Sequence, residues 1–376
     1  MSGGARLLTV AELLSEPNKR VRGPDRVPIG VVNIPATRPL EWGVLVYSAA
    51  PPDIEAAGDA SIEELHAAPP ADGVGVAVQY GTDDGVRRWV NGAAQAAAPA
   101  DMSDPKSLAD FLQWGMRAVP ARRYAVVLGG HGGGYLGAVS SMDRRRLMRP
   151  QEMAAALAAS GCRPAVLAFN TCLMAQAEIA AELAPVADLL VASQAREEGV
   201  GMPLGAWLGD VAPDGTPREV ARALVDASAE TPARTPEMSA IDLKQAERLK
   251  SALDEVGRAI LAAPDTRGAI REILEGLPSF HDRPWDRPLT DMKDLRAFSA
   301  SLRALPSLRD AAERLRATLD DAVIARTGEG GGLSAWLPAA SLSASHGELG
   351  RAAEARWHDG ALARGAWGEA VRFLTE

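Results

Sequence analysis

Apolar residues along the chain gather in short runs of two kinds, separated by polar, Gly-rich and Pro-rich stretches. WGVLVY from Trp42, GVGVAVQY at Gly73–Tyr80, YAVVL at Tyr124–Leu128, AVLAF at Ala165–Phe169 and DLLVAS at Asp188–Ser193 are compact and almost continuous. That is the pattern of strands covered on both faces. Between them, apolar residues recur at helical spacing: around Ser61–Ala67, in Asp104–Ala118, in QEMAAALAAS and in LMAQAEIAAEL. In the second of these, Leu108, Phe111, Leu112 and Met116 follow a Ser103/Asp104 cap. Strands alternating with helices predict an α/β fold, a mostly parallel sheet with helices on both faces.

Beyond Arg218 the pattern is mostly amphipathic helix as far as Ala325, broken at TPARTPEMS and LPSFHDRPWDRPLTD. GGGLSAWLP, Gly330–Pro338, predicts one further strand, and Gly360–Leu374 a last helix. Residues 1–40 carry Pro24, Pro28, Pro35 and Pro39 with little periodicity and read as an arm, a candidate inhibitory element. The expected division is therefore an arm over 1–40 and a core over 41–215. A mostly helical portion over 216–376 completes that core with a strand near 333–337. No internal repeat is evident.

Composition narrows the function. The chain has 376 residues, 47% hydrophobic and 24% charged, close to globular averages, which excludes collagenous or wholly disordered classes. Its 40 Lys and Arg against 49 Asp and Glu leave a formal net charge of −9, so neither nucleic acid nor an anionic membrane is an expected partner. The first twenty residues break their apolar content with Glu12, Glu16 and Lys19, and no apolar run approaches the ~20 residues of a membrane span. The expected location is the cytoplasm. Two cysteines, Cys162 and Cys172, cannot form a disulfide framework and suit a reducing compartment.

Open α/β sheets place their chemistry beyond the carboxyl ends of strands. YAVVL runs into GGHGGGYLG, setting His131 among glycines at a strand end; AVLAF runs into NTCLM, setting Cys172 at another. One strand-turn-helix-strand excursion separates them, so they can meet at one rim. A thiol nucleophile, an imidazole that protonates a leaving amine and backbone N–H groups around the oxyanion are what peptide hydrolysis requires. The amides of Gly132 and Cys172 are candidates for that oxyanion hole. The helix expected to begin at Leu173 would lower the thiol pKa through its N-terminal dipole.

Blander readings compete. Cys162, between a helix and Pro164, reads as a small buried hydrophobe, and His66, His281, His346 and His358 as structural or surface residues, since none closes an apolar strand. Gly132, Gly134 and Gly137 also satisfy GxGxxG, the dinucleotide fingerprint, but the following AVSSMDRRRLMRP is polar and basic where that motif opens an apolar helix. No zinc-spaced His/Cys cluster, EF-hand loop or dense carboxylate group is present, so no cofactor is expected.

These segments resemble the clostripain-like cysteine peptidases, which share the caspase and hemoglobinase fold. EWGVLVY is similar to that family's opening strand, RYAVVLGGHGGGYLG to its histidine strand and turn, and FNTCLMAQAEIA to its nucleophile segment. VASQAREEGVGMPLGAW is similar to its binding loop, and GLSAWLP with a Trp-containing last helix to its C-terminal part. The resemblance implies His131 as catalytic histidine, Cys172 as nucleophile, and a protein or peptide substrate. Asn170, Ser193, Gln194 and Trp207 are candidates for the P1 pocket.

Two positions depart from the pattern. Asn170 stands where the family commonly carries the Asp associated with a basic P1 residue, and Gly130 where Asp often precedes the histidine. The P1 preference is thus left open, with Glu197 and Glu198 able to restore negative charge. Family members can be cut between histidine and cysteine, which makes Arg144, Arg145, Arg146 and Arg149 candidate autoprocessing positions. An activating or inhibitory protein partner is a further expectation, and calcium, needed by some relatives, stays open. The alternative from another class is a caspase-like scaffold that binds peptides or partners without hydrolysis.

Overall fold

The computed structural model describes residues 39–376 apart from 234, 236 and 281–290, with the side chains of 343, 345, 346 and 349 also left out. Of the expected arm, residues 1–38 lie outside the described residues, as do His281 and the side chain of His346. Leu40 already belongs to the first strand.

The apolar runs form strands because each residue finds a packed layer whichever way it points. Along β1 (Leu40–Ala49), Leu45, Tyr47 and Ala49 enter one hydrophobic cluster while Trp42, Val44 and Val46 enter another on the opposite face. The helices Pro105–Ala118, Pro150–Ser160, Ala177–Leu183 and Ala246–Ala262 bury residues in the first cluster. Glu55–Ala67, Leu204–Asp210 and Pro217–Ala229 bury residues in the second.

Helix boundaries follow local chemistry. Asp104 accepts a hydrogen bond from Lys106 N and Pro105 opens the helix, as the cap predicted. Thr216 and Glu219 form a reciprocal capping box.

The main sheet also contains β2 (Val74–Thr82), β3 (Gly85–Val90), β4 (Ala93–Gln95), β5 (Ala121–Gly129), β8 (Val166–Asn170), β9 (Leu189–Ser193), β10 (Met238–Asp242) and β12 (Val323–Arg326). Among the described residues its order is β12-β10-β9-β8-β5-β1-β2-β3-β4. The five central strands β2, β1, β5, β8 and β9 are parallel. Antiparallel strands extend it at both ends. This is the caspase-like α/β architecture. Two small sheets are separate: β6 (Ala138–Ser140) with β7 (Leu147–Met148), and β11 (Met292–Asp294) with β13 (Ser334–Trp336).

The strand expected near 333–337 is β13, which pairs with β11 in a two-stranded sheet and places Leu333, Ala335, Trp336 and Leu337 in the first cluster. The mostly helical portion also holds β10 and β12, which extend the main sheet and which the sequence pattern did not predict. MSAID and VIAR are too short and too mixed in polarity to announce themselves.

Register positions the site. Ser48 pairs with Gly129 and Gly129 with Asn170, so β1, β5 and β8 end level at the same carboxyl edge.

Candidate active site

Three loops leave that edge. The first follows β1 and carries Asp53; the second follows β5 and carries His131; the third follows β8 and carries Cys172. With the loop after β9 they enclose a cleft of about 450 Å³ lined by Asp53, His131, Asn170, Cys172, Glu197 and Glu198, among others.

The loops are tied to one another by main chain. Gly130 N donates to Asn170 O at 3.3 Å, Val139 N to His131 O at 2.9 Å and Leu173 N to Ala195 O at 3.0 Å. Fully buried Gln176 accepts from Tyr135 N at 3.0 Å, binding the glycine turn to the nucleophile segment. Gly134, at φ +61°, must be glycine because a Cβ there would run into the Gln176 side chain. The turn becomes a single 3₁₀ turn and the β6–β7 hairpin, with no helix opening at the glycines, which removes the dinucleotide reading.

His131 and Cys172 both face the cleft. His131 Nε2 lies 3.1 Å from Asp53 Oδ2, and Arg144 Nη1 lies 2.9 Å from the same oxygen. Asp53 has no counterpart in the sequence expectations, because nothing in the pattern of a Pro-containing loop marks it. Partial burial alone would raise its carboxyl, but the bonds from His131 and Arg144 outweigh this and hold it below the usual carboxylate range.

Cys172 differs from expectation in two ways. The helix begins at Ala177, too far along to act on the sulfur, and Leu173 intervenes in a left-handed conformation at φ +66°. The thiol is also raised, not lowered: burial pushes it up, and the negative charge of Glu197 adds to this. Its Sγ–H donates to Glu197 O at 3.8 Å. The amides of Gly132 and Cys172 have no hydrogen-bond acceptor among the described residues. A Cβ at Gly132 would collide with Cys172 O, so the two turns meet at this glycine.

The candidate pocket residues divide. Asn170 lines the cleft, its Oδ1 accepting from Met202 N at 2.7 Å. Ser193, Gln194 and Trp207 are wholly buried elsewhere, contrary to their assignment. The Oγ of Ser193 accepts from Ala195 N, Gln194 joins Asp294 and Gly332, and the indole of Trp207 donates to Val220 O within the second cluster. Strand ends mark a cleft in general, but side-chain direction, which alternates along a strand, decides which residues enter it. Glu197 does enter, and both of its carboxylate oxygens are buried.

The arginines of the β6–β7 turn divide as well. Arg144 reaches Asp53; Arg146 binds Ser103 and Glu152; Arg149 precedes the helix that Glu152 caps. Arg145 projects with 87% of its side chain exposed. Cys162 is a buried core residue whose thiol burial pushes up to about 12. No group of three or more His, Cys, Asp or Glu able to hold a metal occurs among the described residues. None of the described helices is long and apolar enough to cross a membrane.

Comparison with known proteins places this geometry. The profile of the clostripain family, peptidase family C11, matches residues 78–337, a span that includes His131 and Cys172. A secreted C11 cysteine protease from Bacteroides thetaiotaomicron, "iotapain", is 14% identical and superposes with a TM-score of 0.65, covering 79% of this chain and 93% of its own. An inactive zymogen C11 protease from Parabacteroides distasonis is 14% identical with a TM-score of 0.67, covering 89% and 99%. A secreted C11 cysteine protease from Bacteroides thetaiotaomicron in complex with an irreversible peptide inhibitor is 16% identical with a TM-score of 0.63, covering 88% and 98%. No curated protein matches.

Proposed function

Because this chain belongs to the clostripain family, we propose that it is a cysteine endopeptidase working through Cys172 and His131. The thiol proton passes to His131 as sulfur bonds the substrate carbonyl carbon. The C–N bond then breaks as His131 returns that proton to the departing amine. Water, deprotonated by His131, hydrolyses the acyl-enzyme and restores the thiol. The amides of Gly132 and Cys172 are the donors to the oxyanion. One observation carries this reading: the two side chains line a single cleft at the level ends of neighbouring parallel strands.

A basic P1 residue suits this cleft. Asn170 brings no charge, but the Glu197 carboxylate lies buried beside it: a Cβ at Gly201 would contact both side chains. A guanidinium or ammonium entering there would gain a charge-assisted partner. The raised thiol and its bond to the Glu197 carbonyl describe a resting form, in which the loop after β9 covers the sulfur.

The same raised thiol is what favours the rival reading, a scaffold that binds peptides without turnover. The cytoplasmic expectation rests on sequence alone, and two of the structural neighbours are described as secreted. Fluorogenic peptides carrying Arg or Lys at P1 decide between the readings, together with alkylation by iodoacetamide. Hydrolysis abolished by Cys172→Ala and His131→Ala, with Cys172 alkylated faster than Cys162, is the expected result. No turnover, and labelling of Cys172 no faster than Cys162, would leave the scaffold.

A further inference from the structure

We propose that Asp53 is the positioning residue for His131, and that Arg144 competes for the same carboxylate oxygen and weakens this hold. The inference rests on the peptidase reading above and adds a regulated partner to it.

Asp53 stands on the loop that leaves β1 at the edge where β5 and β8 also end, so its position is fixed by strand register. Its Oδ2 lies 3.1 Å from His131 Nε2. A carboxylate on Nε2 keeps the proton on that nitrogen and leaves Nδ1 as the exchanging atom. Among the described residues, Asp53 is the one charged group hydrogen-bonded to the ring.

Arg144 opposes this. Its guanidinium, on the β6–β7 turn, reaches Oδ2 at 2.9 Å, so part of the negative charge facing His131 is spent on another cation. The remaining charged or titratable groups of the cleft are Cys172 after β8 and Arg196, Glu197 and Glu198 after β9; none of them bonds the ring. The turn that carries Arg144 therefore sets how much of Asp53 the histidine receives. If the turn shifts, the histidine gains the carboxylate.

The test reads the histidine directly. In a Cys172→Ala background, ¹⁵N-histidine NMR reports which ring nitrogen of His131 carries the proton, its signal assigned by its loss in His131→Ala. The proton is expected on Nε2, with Asp53→Ala moving part of that population to Nδ1 and Arg144→Gln increasing the Nε2 share. With Cys172 restored, Asp53→Asn should lower kcat about 10- to 100-fold with KM within about twofold, and Asp53→Glu should recover part of it. A tautomer population that Asp53→Ala leaves in place, or a kcat that Asp53→Asn leaves in place, overturns the positioning role, and a population unmoved in Arg144→Gln overturns the competition. Wild type that hydrolyses no peptide overturns the peptidase reading instead, whatever the tautomer.

Discussion

The α-carbon of Gly132 packs against the carbonyl oxygen of Cys172 with no room for a methyl group between them. The histidine turn and the nucleophile turn are thus in van der Waals register through main chain, and the two amides proposed for the oxyanion depend on that fit. Gly132→Ala must push the turns apart, at a cost of about 1–3 kcal/mol in stability. Its expected effect on turnover is larger than on binding: kcat should fall about 100-fold, as when one oxyanion donor is lost, with KM little changed. Steady-state kinetics beside a thermal melt check this; a variant with wild-type kcat removes the oxyanion assignment.

Glu197 does two things at once. Its carboxylate lies in the cleft beside Asn170, and its negative charge adds to the burial that raises the Cys172 thiol. Glu197→Gln should therefore lower kcat/KM for Arg or Lys at P1 by about 10- to 100-fold while sparing uncharged P1 residues. The same substitution removes a charge that disfavours thiolate, so the pH profile of Cys172 alkylation should move to lower pH. Selectivity and alkylation that both stay at wild-type values would show that this carboxylate serves neither.

Glu178, on the helix after the nucleophile, is buried. One of its oxygens accepts from Trp336 N and from the Trp357 indole, each at 3.0 Å, while the other has no hydrogen-bond partner among the described residues. Burial raises its carboxyl. A carboxyl raised on folding binds its proton more tightly in the native state. Its stabilising contribution is complete below the unfolded value of about 4.3 and fades as pH climbs towards its own raised value. Glu178→Gln should thus gain stability relative to wild type as pH rises from 4.3, seen as a widening Tm difference in the variant's favour. Glu178→Ala, which strands two buried donors, should be less stable than Glu178→Gln by about 1–3 kcal/mol at every pH. A Tm difference between Gln and wild type that is flat with pH contradicts the account.

How much of this could be read from the sequence depends on which force writes each feature. The central strands and the shared edge that brings His131 and Cys172 to one cleft were legible because strands buried on both faces must be apolar runs, and residues just past such runs share an edge. Asp53 was not, since its partnership with His131 comes from strand register, which leaves no local signature. Trp207 misled for the opposite reason: a segment can match a binding loop while its largest side chain turns into the core. The helix after Cys172 began later than its apolar pattern implied. Leu173 adopts a left-handed conformation, and the main chain of Ala175 is spent on ties to Ser193 and Ser334. The apolar pattern there records burial, not helix.

The turn between histidine and cysteine carries the last prediction, on self-processing. Four arginines lie there, and three have structural partners: Arg144 on Asp53, Arg146 on Ser103 and Glu152, and Arg149 beside Glu152 at the helix start. Arg145 sits at the tip with its side chain almost wholly in solvent, and its ion pair to Asp143 is loose at 3.7 Å. An exposed tip with little to hold it is what a protease cleaves most readily. If Glu197 confers a basic P1 preference, wild type should therefore cut itself after Arg145 while Cys172→Ala stays whole. Intact mass and N-terminal sequencing distinguish the outcomes. A cut in wild type that Arg145→Gln removes supports both the site and the preference. A cut present in Cys172→Ala as well would mean a foreign protease, and a chain uncut in both would end the idea of self-processing. Cleavage at Arg145 would also free the segment that carries Arg144, which ties this outcome to the contact between Asp53 and His131: the processed protein should show the same His131 tautomer population as Arg144→Gln.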